Sequence, residues 1–449
     1  MERSEIIVVG GGMAGCAAAL AAARKGRQTM LIEQYAYLGG WGTVALVNPF
    51  MTRYTSDGKT LVGGFYDDLK DRLLACGGIL GGSFDTEAMK MALQEMLLEA
   101  GVRLRFHTTF HSASYSDAGK FVVRVQSKTG AEEFECDRLI DCSGDGDVAV
   151  SLGAKFESGD ENGLQQSVTL MFDMGGVDFE KAMTYVRDNP DEMLFPKLPA
   201  TADPRELAEG TISVAGYYSL LKQARAKGDY TVPGDLIFYI GRPRKGEVVF
   251  NTTHVGGIDG TNAEDLTRAE IESRRQMMSV VGFVRKYVPG FEDSYLLRSA
   301  AHVGVRETRR IMGDYVFSAQ DVIEARKFED AICRLAYPVD IHSGKGDGYT
   351  KEEEKPDSAP TPNNAPPGDW YEIPYRCLLP TGLDNVLVAG RCVSSTQAGH
   401  GAIRIMPGCM AMGQAAGVAA ALSLDEGVPV RQIDTAALLE SLRDQRALV

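Results

Sequence analysis

An α/β fold built on a parallel sheet is predicted by three observations. The chain opens on a short β-branched run, Ile6-Ile7-Val8-Val9, of the kind buried on both faces. A glycine-rich turn and an alanine-rich stretch follow it directly. A second run of the same buried type, residues 385–389, returns near the C-terminus.

Taken in order, residues 5–9 form a strand, 17–25 a helix and 29–32 a second strand, which is a βαβ unit. Residues 85–100 have helical spacing with Asp85 as N-cap, Gly101 closes the helix, and 102–109 resumes as strand. Residues 121–125 and 132–136 flank Lys128-Thr129-Gly130, a hairpin signal. Residues 138–142 then lead into a second glycine-rich turn, Ser143-Gly144-Asp145-Gly146. From about 160 to 375 helical stretches (179–187, 263–287) mix with strands (235–240, 247–251), the pattern of an inserted α+β unit. Residues 343–369 carry five prolines and an acidic run, which reads as a lid or a long loop. The expected division is therefore 1–160 and 376–449 for the first domain, with 161–375 inserted as a cap.

Gly10-Gly11-Gly12-Met13-Ala14-Gly15 is a GxGxxG between a strand and a helix, the mark of a Rossmann-type dinucleotide site. Gly10 permits the tight turn, Gly12 admits the pyrophosphate to the backbone, and Gly15 lets helix and strand pack closely. Met13 and Ala14 open the helix whose N–H groups and dipole face the phosphates. Glu33, followed by Gln34, ends the second strand, where a carboxylate meets ribose hydroxyls and repels a 2′-phosphate. Gly39-Gly40-Trp41-Gly42-Thr43 offers a second place of close backbone approach. Strand, glycine turn and helix recur at 386–390 and 407–422. Pro407 suits a first helical position, and Gly408, Gly413 and Gly417 leave room for close backbone contact. The dipole of that helix suits the negative charge of a reduced flavin. No second GxGxxG follows a strand, so a separate nicotinamide domain is not expected and FAD is the cofactor the turns point to.

Several longer blocks carry a resemblance. They are Leu38-Gly39-Gly40, Asp141-Cys142-Ser143-Gly144-Asp145-Gly146-Asp147, Gly304-Val305-Arg306-Glu307-Thr308-Arg309-Arg310-Ile311 and Tyr337-Pro338-Val339-Asp340-Ile341-His342. Near the end come Ile373-Pro374-Tyr375-Arg376, Ala389-Gly390-Arg391-Cys392-Val393-Ser394 and His400-Gly401-Ala402-Ile403-Arg404-Ile405-Met406-Pro407. Over nearly its whole length the chain resembles the bacterial FAD-dependent oxidoreductase family, distantly related to fumarate reductase and succinate dehydrogenase flavoproteins. The resemblance implies bound FAD in a fold of parallel sheet and β-meander, with a cap over the flavin. It places Ser143, Gly144 and Asp145 beside the cofactor, Gly390 and Arg391 at the pyrophosphate or ribityl chain, and main chain near Phe110 at the adenine. It also implies a substrate-holding role for Arg404, matching the His-Gly-x-x-Arg stretch of fumarate-reductase-type proteins.

Read for chemistry, His400 suits proton transfer and Arg404 suits a carboxylate or developing oxyanion. The structural alternatives are a helix cap for His400, a bridge to the cap for Arg404, and N-capping by Asp145 and Asp147. Glu307 and Arg310, three apart, are read as a pair on one helical face, and His342 after Asp340 stands as a further pocket candidate. Eight cysteines without a CxxC pair give no zinc or iron–sulfur spacing, so no metal is expected. A net charge of −14 argues against nucleic-acid and anionic-membrane partners. No signal peptide is read at the start, and reduced cysteines suit the cytoplasm.

The function these features select is hydride transfer between a small carboxylate- or hydroxyl-bearing substrate and flavin N5, with a separate electron acceptor. An RNA-modifying flavoprotein would show a basic surface and an added helical domain, and a non-catalytic flavin module fits poorly with a large cap. Both stay as alternatives, and a homo-oligomer is left open.

Overall fold

The computed structural model describes residues 2–208, 210–348 and 363–449. Much of the expected loop 343–369, namely 349–362, lies outside the described residues.

Five parallel strands make the central sheet, in the order Val386–Val388, Arg138–Asp141, Ile6–Val9, Thr29–Ile32 and Arg103–Arg105. Their β-branched residues are buried on both faces. Ile6 and Val8 belong to a core shared with the helices Met13–Arg24 and Met406–Asp425, while Ile7 and Val9 join the core under a β-meander. The late strand Val386–Val388 pairs with Arg138–Asp141, so the C-terminal part of the chain returns to the first sheet.

The single strand read over 102–109 is two strands in two sheets. Arg103–Arg105 completes the parallel sheet, and Thr108–Tyr115 begins the meander with Phe121–Ser127 and Gly130–Cys136. His107, with φ at 52°, breaks the chain between them, a conformation the alternation of side chains does not reveal. The meander turns at Gly130, whose φ of 111° suits glycine and sets it opposite Ser127. Asp85 caps Thr86–Glu99 as read, accepting from the Glu87 and Ala88 N–H groups.

The first helix starts four residues earlier than its alanines suggest, at Met13 with Gly12 as N-cap. It packs along Met406–Asp425 with backbones in close contact at two glycines. A Cβ on Gly413 would stand 2.0 Å from the Ala14 carbonyl oxygen, and one on Gly417 would stand 2.1 Å from that of Ala18. The close backbone contact expected of Gly413 and Gly417 is thus a helix–helix seam. Among the described residues Met406–Asp425 is long and apolar enough to cross a membrane by composition, yet 83% of that window is buried inside the protein.

The middle of the chain forms a six-stranded antiparallel sheet, in the order Met193–Phe195, Ser213–Gly216, Ile237–Gly241, Val248–Phe250, Phe172–Gly175 and Tyr295–Ser299. Its inner face, with Phe172 stacked on Phe250 at 5.0 Å, shares one core with buried residues of Phe179–Asp188, Tyr218–Ala226 and Ala263–Tyr287. Asp173 is buried in this sheet and receives Arg242 at 2.7 Å and Arg298 at 2.8 Å. Arg242 also donates to the Phe84 carbonyl at 3.1 Å, tying the sheet to the first part of the chain.

Candidate active site

Two buried carboxylates pin the two glycine turns at the C-terminal ends of adjacent strands. Glu33 accepts the N–H of Gly11 at 2.6 Å and of Tyr35 at 2.8 Å. Burial raises its pKa and those backbone donors pull against the rise. Asp141 does the same for the second turn, accepting from Ser143 N at 3.0 Å and Ala149 N at 2.9 Å. Glu33 was read only as facing ribose; the structure adds its clamp on the turn.

Between these turns lies a cavity of about 200 Å³. Gly10, Gly12, Met13 and Ala14 form one wall, Glu33, Gln34 and Phe110 another. Gly39, Gly40 and Trp41, then Ser143, Gly144 and Asp145, then Gly390 and Arg391 complete it. The helix Met13–Arg24 opens here with no side-chain cap on its first N–H groups. Gly12 has only the Gly40 Cα near its absent Cβ, at 3.9 Å, so a side chain there would enter the cavity.

Of the glycine-turn and late-helix residues expected around the cofactor, Gly15, Thr43, Pro407 and Gly408 lie off these walls. A Cβ on Gly15 would meet the Gly10 carbonyl oxygen at 1.8 Å, which makes it a packing glycine. Thr43 is buried, its Oγ1 donating to the Leu38 carbonyl at 2.7 Å. Pro407 is buried, and Gly408 faces protein, because a Cβ there would stand 2.8 Å from the Ile403 carbonyl oxygen. Met406 and Cys409 occupy the wall in their place.

Asp145 and Asp147 do not cap through their side chains; Gly146 is the N-cap of Asp147–Ser151. Asp145 instead receives Arg391 at 2.8 Å and the Thr308 hydroxyl at 2.7 Å, and Asp147 is paired with Arg309. Burial, with Asp145 and Asp141 nearby, pushes Asp147 up to about 6.

A second cavity, about 500 Å³, adjoins the first, and Trp41, Arg391, Arg404 and Met406 line both. Trp41 is fixed there, its Nε1 donating to the Val305 carbonyl at 2.9 Å and its ring stacked on His302 at 5.0 Å. Arg404 closes the helix Gln397–Ile403, an element between the strand and the late helix that the sequence pattern does not mark. Its guanidinium donates to Gln166 Oε1 at 3.2 Å and to the Asp340 carbonyl at 3.1 Å, while Nε is buried without a partner among the described residues.

His400, by contrast, is fully buried and lines neither cavity. Its Nε2 meets the Arg391 carbonyl at 2.7 Å, and burial drives its pKa well below the ordinary value. Arg404, the C-cap of that helix, reaches the wall, whereas His400, inside the helix, is buried against the Arg391 backbone.

The histidine on the wall is His342, beside Asp340 and Tyr337. Its Nε2 is 3.4 Å from Asp340 Oδ1, and the Tyr337 hydroxyl donates to Asp340 Oδ2 at 3.2 Å. Burial opposes ionisation of Asp340, but His342, Arg404 and Arg306 outweigh it and hold the carboxyl well below the usual range. Burial and then Arg306 lower His342 to about 4, so its ring is neutral at pH 7. Only the succession Tyr337-x-x-Asp340-x-His342 signals this group in the sequence. Glu307 and Arg310 pair as expected at 3.4 Å, but across irregular chain and the strand Arg309–Ile311, not on one helix. Among the described residues no group of three His, Cys, Asp or Glu side chains is placed to hold a metal.

The walls fit an extended dinucleotide: glycine backbone and an uncapped helix end at one side, and a tryptophan–arginine junction leading to a second chamber. A profile of the family described as FAD dependent oxidoreductase matches residues 5–442. No curated protein matches the chain in sequence. Similar solved structures include p-nitrophenol 4-monooxygenase PnpA from Pseudomonas putida DLL-E4, at 11% identity and a TM-score of 0.46, covering 99% of this chain and 85% of that one. A geranylgeranyl bacteriochlorophyll reductase-like protein from Thermoplasma acidophilum matches at 12% identity and 0.46, over 99% and 84%. A flavoprotein/dehydrogenase from Cytophaga hutchinsonii matches at 12% and 0.43, over 98% and 83%.

Proposed function

This chain belongs to the FAD dependent oxidoreductase family, and from that premise we propose that it exchanges a hydride between flavin N5 and a small carboxylate- or hydroxyl-bearing substrate. It is an FAD-dependent enzyme. The observation that carries the finer reading is the pair of cavities that meet at Trp41, Arg391, Arg404 and Met406.

When bound, FAD supplies the two-electron centre, which no side chain offers. The remaining work falls to the protein. Backbone at Gly12, Ala14 and Gly390, with the uncapped end of Met13–Arg24, would hold the pyrophosphate. Glu33 would face ribose while it braces the turn, and main chain at Phe110 would meet adenine. Residues 161–375 act as the cap, their antiparallel sheet forming the far wall of the larger cavity.

Arg404 anchors the carboxylate or oxyanion of the substrate, because its charge stands on the wall of both chambers. His342 takes or returns the substrate proton, being neutral and on the wall. Asp340 positions that ring and stabilises it when protonated. His400 supports the Arg391 backbone and takes no part in proton transfer. Electrons pass on to a separate acceptor, and eight free thiols suit a cytoplasmic enzyme.

The test is an anaerobic screen of small acids and alcohols against the purified protein, read as bleaching of the visible flavin band. Bleaching by some of them supports the reading. A yellow protein that none reduces overturns the proposed reaction.

A further inference from the structure

The larger cavity is lined by two chemically different groups of residues. Arg404 lines the glycine-walled chamber as well, and Asp340 and His342 stand beside it on the wall of the larger cavity. Across it, one face of the antiparallel sheet supplies a row of residues in register. Phe195 pairs with Ala215 and Ala215 with Phe238, so the three lie side by side on adjacent strands. All three line the cavity, and none borders the smaller chamber. The Phe195 and Phe238 rings meet edge to face at 5.5 Å, with the small Ala215 between their strands. Leu194, Leu236 and Met171 extend the apolar surface. Phe195 stays 38% exposed, although a side chain of its type is usually covered.

Burying so much apolar surface at a substrate wall stabilises a ligand only when the ligand brings apolar surface of its own. A short, fully polar acid would leave this half wetted. Resting on the reading of Arg404 above, we infer that the substrate is an amphiphilic acid, with its carboxylate at Arg404 and an apolar chain or ring lying along Phe195, Ala215 and Phe238. The reacting carbon then lies near the head, where Trp41 and Met406 border both chambers. The cavity volume of about 500 Å³ admits such a molecule and is well above what acetate needs.

The experiment titrates FAD-loaded protein with acetate, butyrate, hexanoate, octanoate and 4-phenylbutyrate, reading the shift of the visible flavin band. Affinity is expected to rise about fourfold for each added methylene until the sheet wall is covered, and matching primary alcohols bind at least about tenfold more weakly. Ala215→Leu, which adds bulk on the strand between those of the two rings, and Phe195→Ser, at the exposed edge, each flatten the length series while the protein stays yellow. Affinity that ignores chain length, or alcohols that bind as well as acids, overturns this inference and leaves the flavin enzyme standing. A preparation that cannot take up FAD overturns the proposed function, and the inference falls with it.

Discussion

Gly413 lies directly against the Ala14 carbonyl, where an added Cβ would stand only 2.0 Å from the oxygen. Ala14 belongs to the glycine-turn helix at the start of the chain, and Gly413 to the helix that ends the nucleotide-binding sheet. Residues 399 positions apart thus fix how the two helix N-termini sit around one cavity. The seam repeats one turn on at Ala18 and Gly417.

Gly413→Ala is expected to push the two helices apart and cost about 1–3 kcal/mol, with weaker FAD retention, because a backbone oxygen cannot swing aside as a flexible side chain does. Gly282→Ala is the control: it stands inside Ala263–Tyr287 with nothing within 4 Å of its absent Cβ, so the same change should stabilise by about 0.5–1 kcal/mol. Thermal melts of both variants check the contrast, and equal melting temperatures would remove the seam argument.

Arg404→Met should keep the protein yellow and folded, since the stem still fills the wall, while substrate-driven bleaching slows about 10–100-fold in kcat/KM through loss of charge-assisted bonds. Arg404→Lys should restore only part, because an ammonium lacks the planar fork. Stopped-flow bleaching with any substrate found in the screen decides this, and an unaffected rate in the methionine variant would strip Arg404 of its role.

His342 separates two further readouts. His342→Gln should slow bleaching by about 10²-fold or more with flavin content unchanged, whereas His400→Gln should act, if at all, on flavin content and stability. The acid stability of the protein follows the same ring. An unfolded histidine takes its proton near pH 6.5, whereas folded His342 takes it only near 4. Between those values the unfolded state binds the extra proton, so stability falls as pH drops through the window and levels below it. His254, lowered to about 3 by burial and Arg306, adds to the same slope, and Asp340, held low, loses its contribution at still lower pH. Melting temperature against pH should therefore fall less steeply between 6.5 and 4 in His342→Gln than in the parent. Parallel curves would show that this ring is not the buried neutral group described.

What the sequence disclosed follows from how local each signal was. The parallel sheet was legible because strands such as Ile6–Val9 are buried on both faces and so are apolar at every position. The antiparallel sheet was largely not, since strands such as Ser213–Gly216 are not apolar at every position and owe their existence to partners distant in the chain. Gly413 and Gly417 advertised close approach without saying to what, and a ligand and a neighbouring helix leave the same trace in composition. His400 and His342 differ by the direction in which their backbone aims them, which residue type and spacing do not encode. Arg404 was legible through a motif, and Phe195-Ala215-Phe238 was invisible because register alone joins them.

The first glycine turn offers the sharpest separation of folding from binding. Its three motif glycines have unlike surroundings: a Cβ on Gly10 would meet the Cys142 carbonyl oxygen at 2.2 Å, one on Gly15 the Gly10 oxygen at 1.8 Å, and one on Gly12 nothing nearer than 3.9 Å. Gly10 also has a φ of 99°, which side chains rarely adopt, whereas Gly12 has an ordinary extended backbone with φ at −69°. Replacement at Gly10 or Gly15 should therefore damage the fold itself. Gly12→Val is expected to fold, with an apo melting temperature close to that of apo parent, yet to come out colourless, because the isopropyl group occupies the space the pyrophosphate needs beside the uncapped helix end. FAD titration followed by flavin fluorescence, run beside apo thermal melts, measures both halves. A yellow Gly12→Val protein would mean that this turn does not hold the diphosphate, whatever the fold around it.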